Sequence, residues 1–161
     1  MKAKDQKVID ILNDVLAAEL TAINQYFLHA EMCQNWGYQR LYETVRHHSM
    51  DEMRHAEELI ERLLFLEGSP NMQRVGKISI GASVSEQLKN DLALENAAVE
   101  RLNANVRSCR EVGDAGSAEL LEDILKSEED HVDWLEAQLE LIAQAGEQNY
   151  LAQQIRKNEE K

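Results

Sequence analysis

Four segments of the chain repeat apolar residues at steps of three and four, which is typical of helices that bury one face. The four stripes are Leu12, Leu16, Ile23 and Tyr26; Val45, Leu59, Leu63 and Leu66; Leu88, Leu92, Val99, Leu102 and Val106; and Leu121, Ile124, Leu135 and Ile142. Breaks at Gly37, 68–83 and 113–116 predict helices at about 5–35, 39–66, 84–112 and 117–145. A short fifth helix is predicted over 149–156, followed by a charged, frayed tail that runs to residue 161.

The segment 68–83 is too long for a tight connection between two helices. At about 3.3 Å per residue it can run along a helix of about 28 residues, which is roughly 42 Å long. Such a crossover leaves the second and third helices parallel, and Ser83 with Glu86 predicts a capping box where the third helix begins. We therefore expect an all-α, single-domain four-helix bundle over 1–161 with one long crossover.

Composition supports this interpretation and limits the partners. The 161 residues suit one domain, aromatic residues make up only 5%, and there is a single proline. The net charge is −13 and no basic stripe is present, so nucleic acid is not an expected partner. An acidic surface instead attracts cations.

The cysteines and the N-terminal residues predict the cellular compartment of the protein. Cys33 and Cys109 fit neither a disulfide framework nor a zinc pattern, so we expect free, buried thiols in a reducing cytosol. The first residues lack the apolar core of a signal peptide, and no apolar run approaches the length of a membrane span. We expect a cytoplasmic protein that makes no use of a membrane.

Two of the apolar stripes carry the same acid–imidazole pair. Glu52 and His55 are separated by three positions, so they share one face of a helix. Glu128 and His131 repeat this spacing in the second half of the chain.

Each pair is preceded by a lone acid inside an apolar stripe. The interval from Glu19 to Glu52 equals the interval from Glu95 to Glu128, so the second half of the chain repeats the first in register. Either feature alone is more often a partly exposed acid or a solvated helix face. Their repetition in phase with four stripes predicts six side chains that meet near the middle of the bundle. This is the ligand arrangement of di-metal carboxylate bundles.

Four carboxylates in an apolar core repel one another and lose hydration, at a cost of several kcal/mol per ion. Two divalent cations neutralise them in full, and oxygen and imidazole donors without thiolates suit iron or manganese. Dioxygen has room to bridge two such metals. Tyr26 lies two turns beyond Glu19 on the same face, so it is expected either to hydrogen-bond a ligand carboxylate or to be a core tyrosine bonded elsewhere.

The chain resembles the bacterioferritins, the haem-containing bacterial ferritins, over essentially its whole length. The resemblance rests on ELTAINQYFLH over 19–29, DEMRHA over 51–56, RLLFLEG over 62–68, DLALE over 91–95 and EEDHVDWLE over 128–136. It implies a ferritin-like fold and a homo-oligomeric cage of 24 subunits with one di-iron ferroxidase centre each. It also implies terminal pairs Glu19–His55 and Glu95–His131, with Glu52 and Glu128 as bridging carboxylates.

The resemblance further implies one b-type haem per subunit pair, with Met53 of each subunit as an axial ligand. Met53 follows Glu52 by about 100° around the helix, so it faces away from the metal site. A small ferredoxin that sends electrons through the haem to release the iron is also implied. Without the resemblance, an exposed methionine such as Met53 is more often part of a protein interface than a haem ligand.

The resemblance also places two further iron sites. His47 and Asp51 match a site on the inner surface of the cage, the alternative being a solvated pair on one helix face. Asn35, Glu67, Asp133 and Glu140 match residues of a channel near the subunit junctions.

The predicted function is iron storage and detoxification, with oxidation of Fe(II) by dioxygen or peroxide at the di-iron ferroxidase centre. One alternative is another di-metal bundle enzyme, a rubrerythrin-like peroxidase or a manganese catalase, although the chain has no Cys-x-x-Cys motif for a rubrerythrin iron domain. The other alternative is a haem-bearing subunit in a mixed cage, where a second ferritin chain oxidises the iron.

Overall fold

The computed structural model describes residues 1–157 and forms five helices within them. These are α1 (Gln6–Asn35), α2 (Gln39–Phe65), α3 (Val84–Glu111), α4 (Ala115–Ala145) and α5 (Glu147–Gln154). The predicted all-α bundle with a short fifth helix is confirmed; α4 and α5 begin slightly before the predicted positions. The end of the predicted tail, 158–161, lies outside the described residues.

Side-chain caps fix where three of the helices begin. Asp5 accepts from the backbone N–H of Lys7 at 2.8 Å, and Asp114 accepts from that of Ser117 at 3.0 Å. Ser83 accepts from the N–H of Glu86 at 3.3 Å. The Glu86 carboxylate reaches back to the N–H of residue 82 rather than to that of Ser83, so the predicted capping box is shifted by one position.

Two hairpins, α1–α2 and α3–α4, pack side by side with α1 against α3 and α2 against α4. Tyr26 of α1 contacts Glu95 of α3, and Cys33 contacts Gln87, so α1 and α3 run in opposite directions. Because both hairpins are antiparallel, α2 and α3 are parallel, as the length of the crossover predicts.

The crossover, residues 66–83, runs along α1. Backbone N–H groups of the crossover donate to α1 side chains at four heights: Asn71 to Asn13, Gly76 to Thr21, Ser79 to Gln25 and Gly81 to His29, over 2.8–3.1 Å. A side chain at position 81 would lie 2.3 Å from the backbone nitrogen of Gln87, so only glycine fits there. Polar side chains at regular intervals of α1 therefore hold the crossover in place.

The apolar core is divided along the bundle axis. One cluster, which includes Leu12, Leu16, Leu59, Leu121 and Ile124, fills the end that holds the helix α1 N-terminus. Smaller clusters around Leu41, Leu88, Leu135 and Tyr150 and around Ala22, Tyr26, Ala30 and Val45 fill the rest. Buried polar side chains lie between them.

Cys33 and Cys109 are free and buried, as expected, and burial raises the pKa of their thiols to about 12 and about 11. Within residues 1–157, none of the helices has the length and apolar composition that a membrane crossing requires.

Candidate metal centre

All four long helices contribute to one buried cluster of acids and imidazoles. Its members are Glu19 from α1, Glu52 and His55 from α2, Glu95 from α3, and Glu128 and His131 from α4. Each is at most 8% exposed. The six residues predicted from the repeat are thus brought together at mid-height between the apolar clusters.

The first half of the centre is arranged around His55. Its Nδ1 lies 3.3 Å from Glu19 Oε2, 3.3 Å from Glu52 Oε2 and 3.6 Å from Glu128 Oε1. One ligand atom from each of these four residues lies within 4.8 Å of all the others, so a single ion can reach all four.

The second half is arranged in the same way around His131. Its Nδ1 lies 3.0 Å from Glu52 Oε1, 3.2 Å from Glu95 Oε1 and 3.3 Å from Glu128 Oε2. These four residues form a second group of the same size. Glu52 and Glu128 belong to both groups, so they are placed to bridge two ions.

Hydrogen bonds within the protein leave this cluster incomplete. Each imidazole Nδ1 carries at most one proton, yet three carboxylates approach each of them. Among the described residues, Glu52 Oε1 and Glu128 Oε2 are buried without a hydrogen bond of good geometry. Ligands held about 2.1 Å from one ion in octahedral geometry lie about 3 Å from one another, which matches the spacing of these atoms.

The pKa values also show that the protein alone leaves the charges of this cluster unbalanced. Burial raises the pKa of Glu19 well above its ordinary value and that of Glu95 to about 8. Although burial opposes it, hydrogen bonds with Glu19, His131 and His55 lower the pKa of Glu52. Protons therefore neutralise the cluster when no metal is bound, and metal ions compete with them.

Although burial opposes charge on the rings, hydrogen bonds that the imidazoles donate to the surrounding carboxylates raise the pKa of both His55 and His131 to about 12. Each ring must give up a proton before its nitrogen can bind a metal.

Three side chains surround the second half of the centre. Tyr26 donates a hydrogen bond to Glu95, one of the two outcomes expected for this tyrosine. Asp51 Oδ2 lies 3.3 Å from His131 Nε2. The His48 ring lies 4.3 Å from the His131 ring, centroid to centroid.

Sequence reasoning missed His48 and its second ring partner, Trp134, whose centroid is 4.9 Å from that of His48. A signal was present, because His48 lies one helical turn before Glu52 and Trp134 lies one turn after His131.

His47 and Asp51, the predicted inner-surface pair, lie near each other, but Asp51 has other partners as well. His47 is exposed, and its Nε2 lies 3.7 Å from Asp51 Oδ2. Asp51 also forms a salt bridge with Arg54 and approaches His131. An ion between His47 and Asp51 would compete with both.

The four proposed channel residues do not meet within one chain. Asp133 and Glu140 line one shallow depression on the surface of α3 and α4. Asn35 and Glu67 are exposed at opposite ends of the α1–α2 hairpin. A channel formed by all four residues therefore needs neighbouring copies of the chain.

Met53 lies on the outer face of α2 and is 47% exposed. Met50, one turn before it, and Phe27 of α1 are exposed as well. Ser49 of α2 donates to the backbone carbonyl of Ile23 at 3.0 Å, so this part of α1 lies beside the methionines. The methionine thus faces away from the centre, on a surface with apolar neighbours.

A cavity of about 630 Å³ beneath the crossover reaches the centre. All four carboxylates of the centre line it, and Arg74, Lys77 and Arg101 lie among the residues toward its exterior. It gives small solutes a route to the carboxylate side of the cluster.

Comparisons with known proteins identify the family of the chain. A family model described as a ferritin-like domain matches residues 9–145. Proteins named bacterioferritin from Mycobacterium leprae and bacterioferritin BfrA from Mycobacterium tuberculosis H37Rv are each 50% identical over 149 residues, covering 92% of this chain and 94% of theirs. A bacterioferritin from Streptomyces coelicolor is 47% identical over 148 residues, covering 92% of this chain and 89% of its own. The predicted ferritin-like fold is confirmed.

Proposed function

Because the chain belongs to the bacterioferritin family, we propose that it stores iron and that its buried centre is a ferroxidase site, where Fe(II) is oxidised before storage as a ferric mineral. One observation carries the proposal. Two groups of four metal-ligating side chains overlap at Glu52 and Glu128, and the protein's own hydrogen bonds leave both of those carboxylates partly unsatisfied.

The ligand set accounts for the binding of two Fe(II) ions as substrate. Glu19 and His55 are terminal ligands of one ion, Glu95 and His131 are terminal ligands of the other, and Glu52 with Glu128 bridge them. Four carboxylates balance the charge of two divalent ions, so both imidazoles bind as neutral ligands. Oxidation of both ions releases two electrons, which is enough to reduce dioxygen to hydrogen peroxide or peroxide to water.

The protein's part in this reaction is to hold two ions side by side among buried ligands. The carboxylates favour the ferric product because their negative charge interacts more strongly with the more highly charged ion. The cavity beneath the crossover supplies a route for the oxidant or the iron.

The assembly in this proposal is a cage of 24 identical chains in the cytoplasm. Each chain carries a net charge of −13, so a closed shell of many copies concentrates cations near its surface. Asn35, Glu67, Asp133 and Glu140 form the channel between neighbouring copies. The exposed ends of the hairpins on which two of them lie are consistent with contacts between copies.

A haem b group shared by two chains fits the outer face of α2. The thioether of Met53 is an established type of haem ligand, and exposed Met50 and Phe27 offer apolar surface for the edge of the macrocycle. A two-fold axis at this face would bring Met53 of two copies together, and their thioethers would hold the haem. When bound, the haem supplies single electrons, and a small ferredoxin is the proposed donor for reductive release of the iron.

The ferroxidase proposal is tested by rapid mixing of Fe(II) with the assembled, metal-free protein in air, at up to two ions per chain. We expect a fast oxidation phase that Glu128→Ala slows by at least about 100-fold, since even residues behind the ligands contribute about 10- to 100-fold. The control is Glu129→Ala, which removes the neighbouring acid that does not belong to the centre. Equal rates in all three proteins, or no rate above the uncatalysed one, would rule out the ferroxidase function.

The haem proposal is tested by the visible spectrum of the purified assembly. Wild type and Met50→Leu should show one haem per two chains, and Met53→Leu should lose it while the assembly keeps its size. Haem binding that is unchanged in Met53→Leu would contradict the assignment.

The mass of the assembly separates the alternatives. Light scattering should give the mass of 24 chains of 18.4 kDa each. A small oligomer would favour a rubrerythrin-like peroxidase or a manganese catalase. A second ferritin chain that co-purifies and carries the oxidation would favour a haem-bearing subunit of a mixed cage.

A further inference from the structure

The two halves of the centre repeat their ligands but not their surroundings. Tyr26 of the first hairpin donates to Glu95 in the second half. When Glu19 is aligned with Glu95, the position that corresponds to Tyr26 is Leu102, which is buried and has no donor to offer Glu19. The terminal carboxylate of the second half is therefore held by a hydrogen bond that the first half lacks.

The imidazole of the second half, His131, also has a hydrogen-bond partner that the imidazole of the first half lacks. His131 Nδ1 faces the carboxylates, and its Nε2 lies 3.3 Å from Asp51 Oδ2. An Nε2–H that donates to Asp51 leaves the lone pair of Nδ1 free for a metal, and it fixes both the tautomer and the ring orientation. In the same alignment of the two hairpins, Ser127 stands in the place of Asp51.

His55 has no such partner. Its hydrogen bonds and ion pairs all involve Nδ1, and among residues 1–157 nothing hydrogen-bonds its Nε2. Its ring is therefore oriented only by the carboxylates with which it would share a metal.

The ring of His131 is also held by packing. The His48 ring lies against it, with the ring centroids 4.3 Å apart and the planes tilted by 30°, and meets the Trp134 ring edge-on at 4.9 Å. At the position that corresponds to His48 the second hairpin has Ile124, a core residue of the large apolar cluster.

Asp51 is itself fixed from the other side. Its Oδ1 forms a salt bridge with Arg54, one turn further along α2, and its Oδ2 is the atom that approaches both His131 and His47. The carboxylate is largely buried, so it has little freedom to turn away from His131.

We propose that Asp51 is a positioning residue that presents Nδ1 of His131 to a metal, and that the Glu95–His131 half consequently binds its divalent ion more tightly than the Glu19–His55 half. The inference rests on the proposed di-metal function and adds an order of filling to it. The first ion occupies the Glu95–His131 half, and the Glu19–His55 half exchanges its ion more readily.

Co(II) alone tests the order of filling without any oxidation step. The metal-free assembly is titrated with Co(II) without oxygen, and crystals prepared at one Co(II) per chain are examined by anomalous scattering. We expect two binding steps of different affinity and a stronger peak beside Glu95 and His131. A stronger peak beside Glu19 and His55, or equal peaks, would overturn the order while leaving the di-metal function intact. No Co(II) in either half would overturn both.

Variants test the role of Asp51. Asp51→Ala should weaken the tighter Co(II) step by about 10- to 100-fold and leave the weaker step unchanged. Asp51→Asn keeps an acceptor for the imidazole N–H, so it should restore part of that loss. Ser127→Ala, at the corresponding position of the other hairpin, should change neither step.

His47→Ala separates positioning from a role of Asp51 in an inner-surface iron site. It removes the second member of that site but leaves the Asp51–His131 contact, so the tighter step should be unchanged. If Asp51→Ala alters neither step, or weakens both equally as a general loss of negative charge would, Asp51 is not a positioning residue. Assembly size and melting temperature identify any variant that fails to fold, and Asp51→Asn then carries the test.

Discussion

Two of the buried polar clusters in the bundle differ in how their charges are satisfied. In the first, the α1–α3 network of Gln25, His29 and Asp91, the carboxylate accepts from Gln25 at 2.7 Å and contacts His29 Nδ1 at 2.9 Å. Two further polar atoms of the network, His29 Nε2 and Gln25 Oε1, accept the N–H groups of Gly81 and Ser79. Because Nε2 of His29 accepts, its Nδ1 must be the protonated nitrogen that donates to Asp91.

The metal centre begins one turn along α3, where Glu95 follows Asp91. It is as deeply buried, but three carboxylates approach each imidazole and two oxygens have no hydrogen bond of good geometry. Burial of polar side chains is thus no mark of a metal site by itself. The mark is a cluster of ligands whose charges the protein alone leaves unbalanced.

The largest effect is expected from breaking the satisfied network. Asp91→Ala leaves the buried Gln25 amide and His29 imidazole without their acceptor. It should lower the free energy of unfolding of the metal-free protein by about 3–5 kcal/mol in total, because each unpaired buried donor costs about 1–3 kcal/mol. Denaturant titration measures this, with Asp130→Ala on the exposed face of α4 as the control. A loss no greater than that of the control would show that the network is not a structural element.

The unbalanced charges of the metal centre should make the stability of the metal-free protein depend on pH. The pKa of Glu95 is raised from 4.5 to about 8 and those of His55 and His131 from 6.5 to about 12, so the folded protein keeps protons that the unfolded chain has lost. Stability from Glu95 falls between pH 4.5 and 8, and that from the imidazoles is complete below pH 6.5 and falls above it.

The metal-free protein should therefore be less stable at pH 8.5 than at pH 6.5, by about 2–3 kcal/mol, the value for one proton that the coupled cluster keeps throughout that interval. Loading with Mn(II) should flatten or reverse this slope, because metal replaces the protons. Denaturant titrations at both pH values, with and without Mn(II), provide the measurement. Identical slopes in the two forms would contradict it.

A substitution in the metal centre should raise the free energy of unfolding of the metal-free protein, whereas one in the Gln25–His29–Asp91 network should lower it. Glu95→Gln removes a carboxyl whose ionisation is opposed by burial, so it should stabilise the metal-free protein by about 1–2 kcal/mol at pH 8.5. The same variant should lose most of the stabilisation that Mn(II) gives to wild type. Thermal melts with and without Mn(II) test both points, and destabilisation of the metal-free form would count against the idea of an unbalanced centre.

The smallest effect on the free energy of unfolding is expected at Tyr26, which lies between the two polar clusters. Tyr26→Phe removes the hydrogen bond to Glu95 but keeps the ring in the core, so it should cost about 1 kcal/mol in the metal-free protein. Its effect on Mn(II) affinity should be larger, about tenfold, because the bond orients a ligand. Calorimetric titration compares the two proteins, and unchanged affinity would make Tyr26 a packing residue only.

The sequence predicted the six ligands because the internal repeat and the helical period both act along the chain. It did not predict the network of Gln25, His29 and Asp91. That network depends on the path of the crossover along α1, which spacing alone does not determine.

Asp51 shows a similar limit. Its spacing from His47 suggested a pair on one helix face, whereas its contact with His131 arises from the packing of α2 against α4. The channel residues depend on neighbouring copies of the chain, so neither one sequence nor one subunit brings them together.

Two metal ions are expected to complete the unbalanced cluster of carboxylates and imidazoles. Anomalous diffraction from crystals loaded with two Fe(II) ions per chain, without oxygen, tests it most directly. We predict two peaks bridged by Glu52 and Glu128, one beside Glu19 and His55 and the other beside Glu95 and His131. A cluster without anomalous peaks, with its carboxylates turned away from one another and iron bound only elsewhere, would contradict the account.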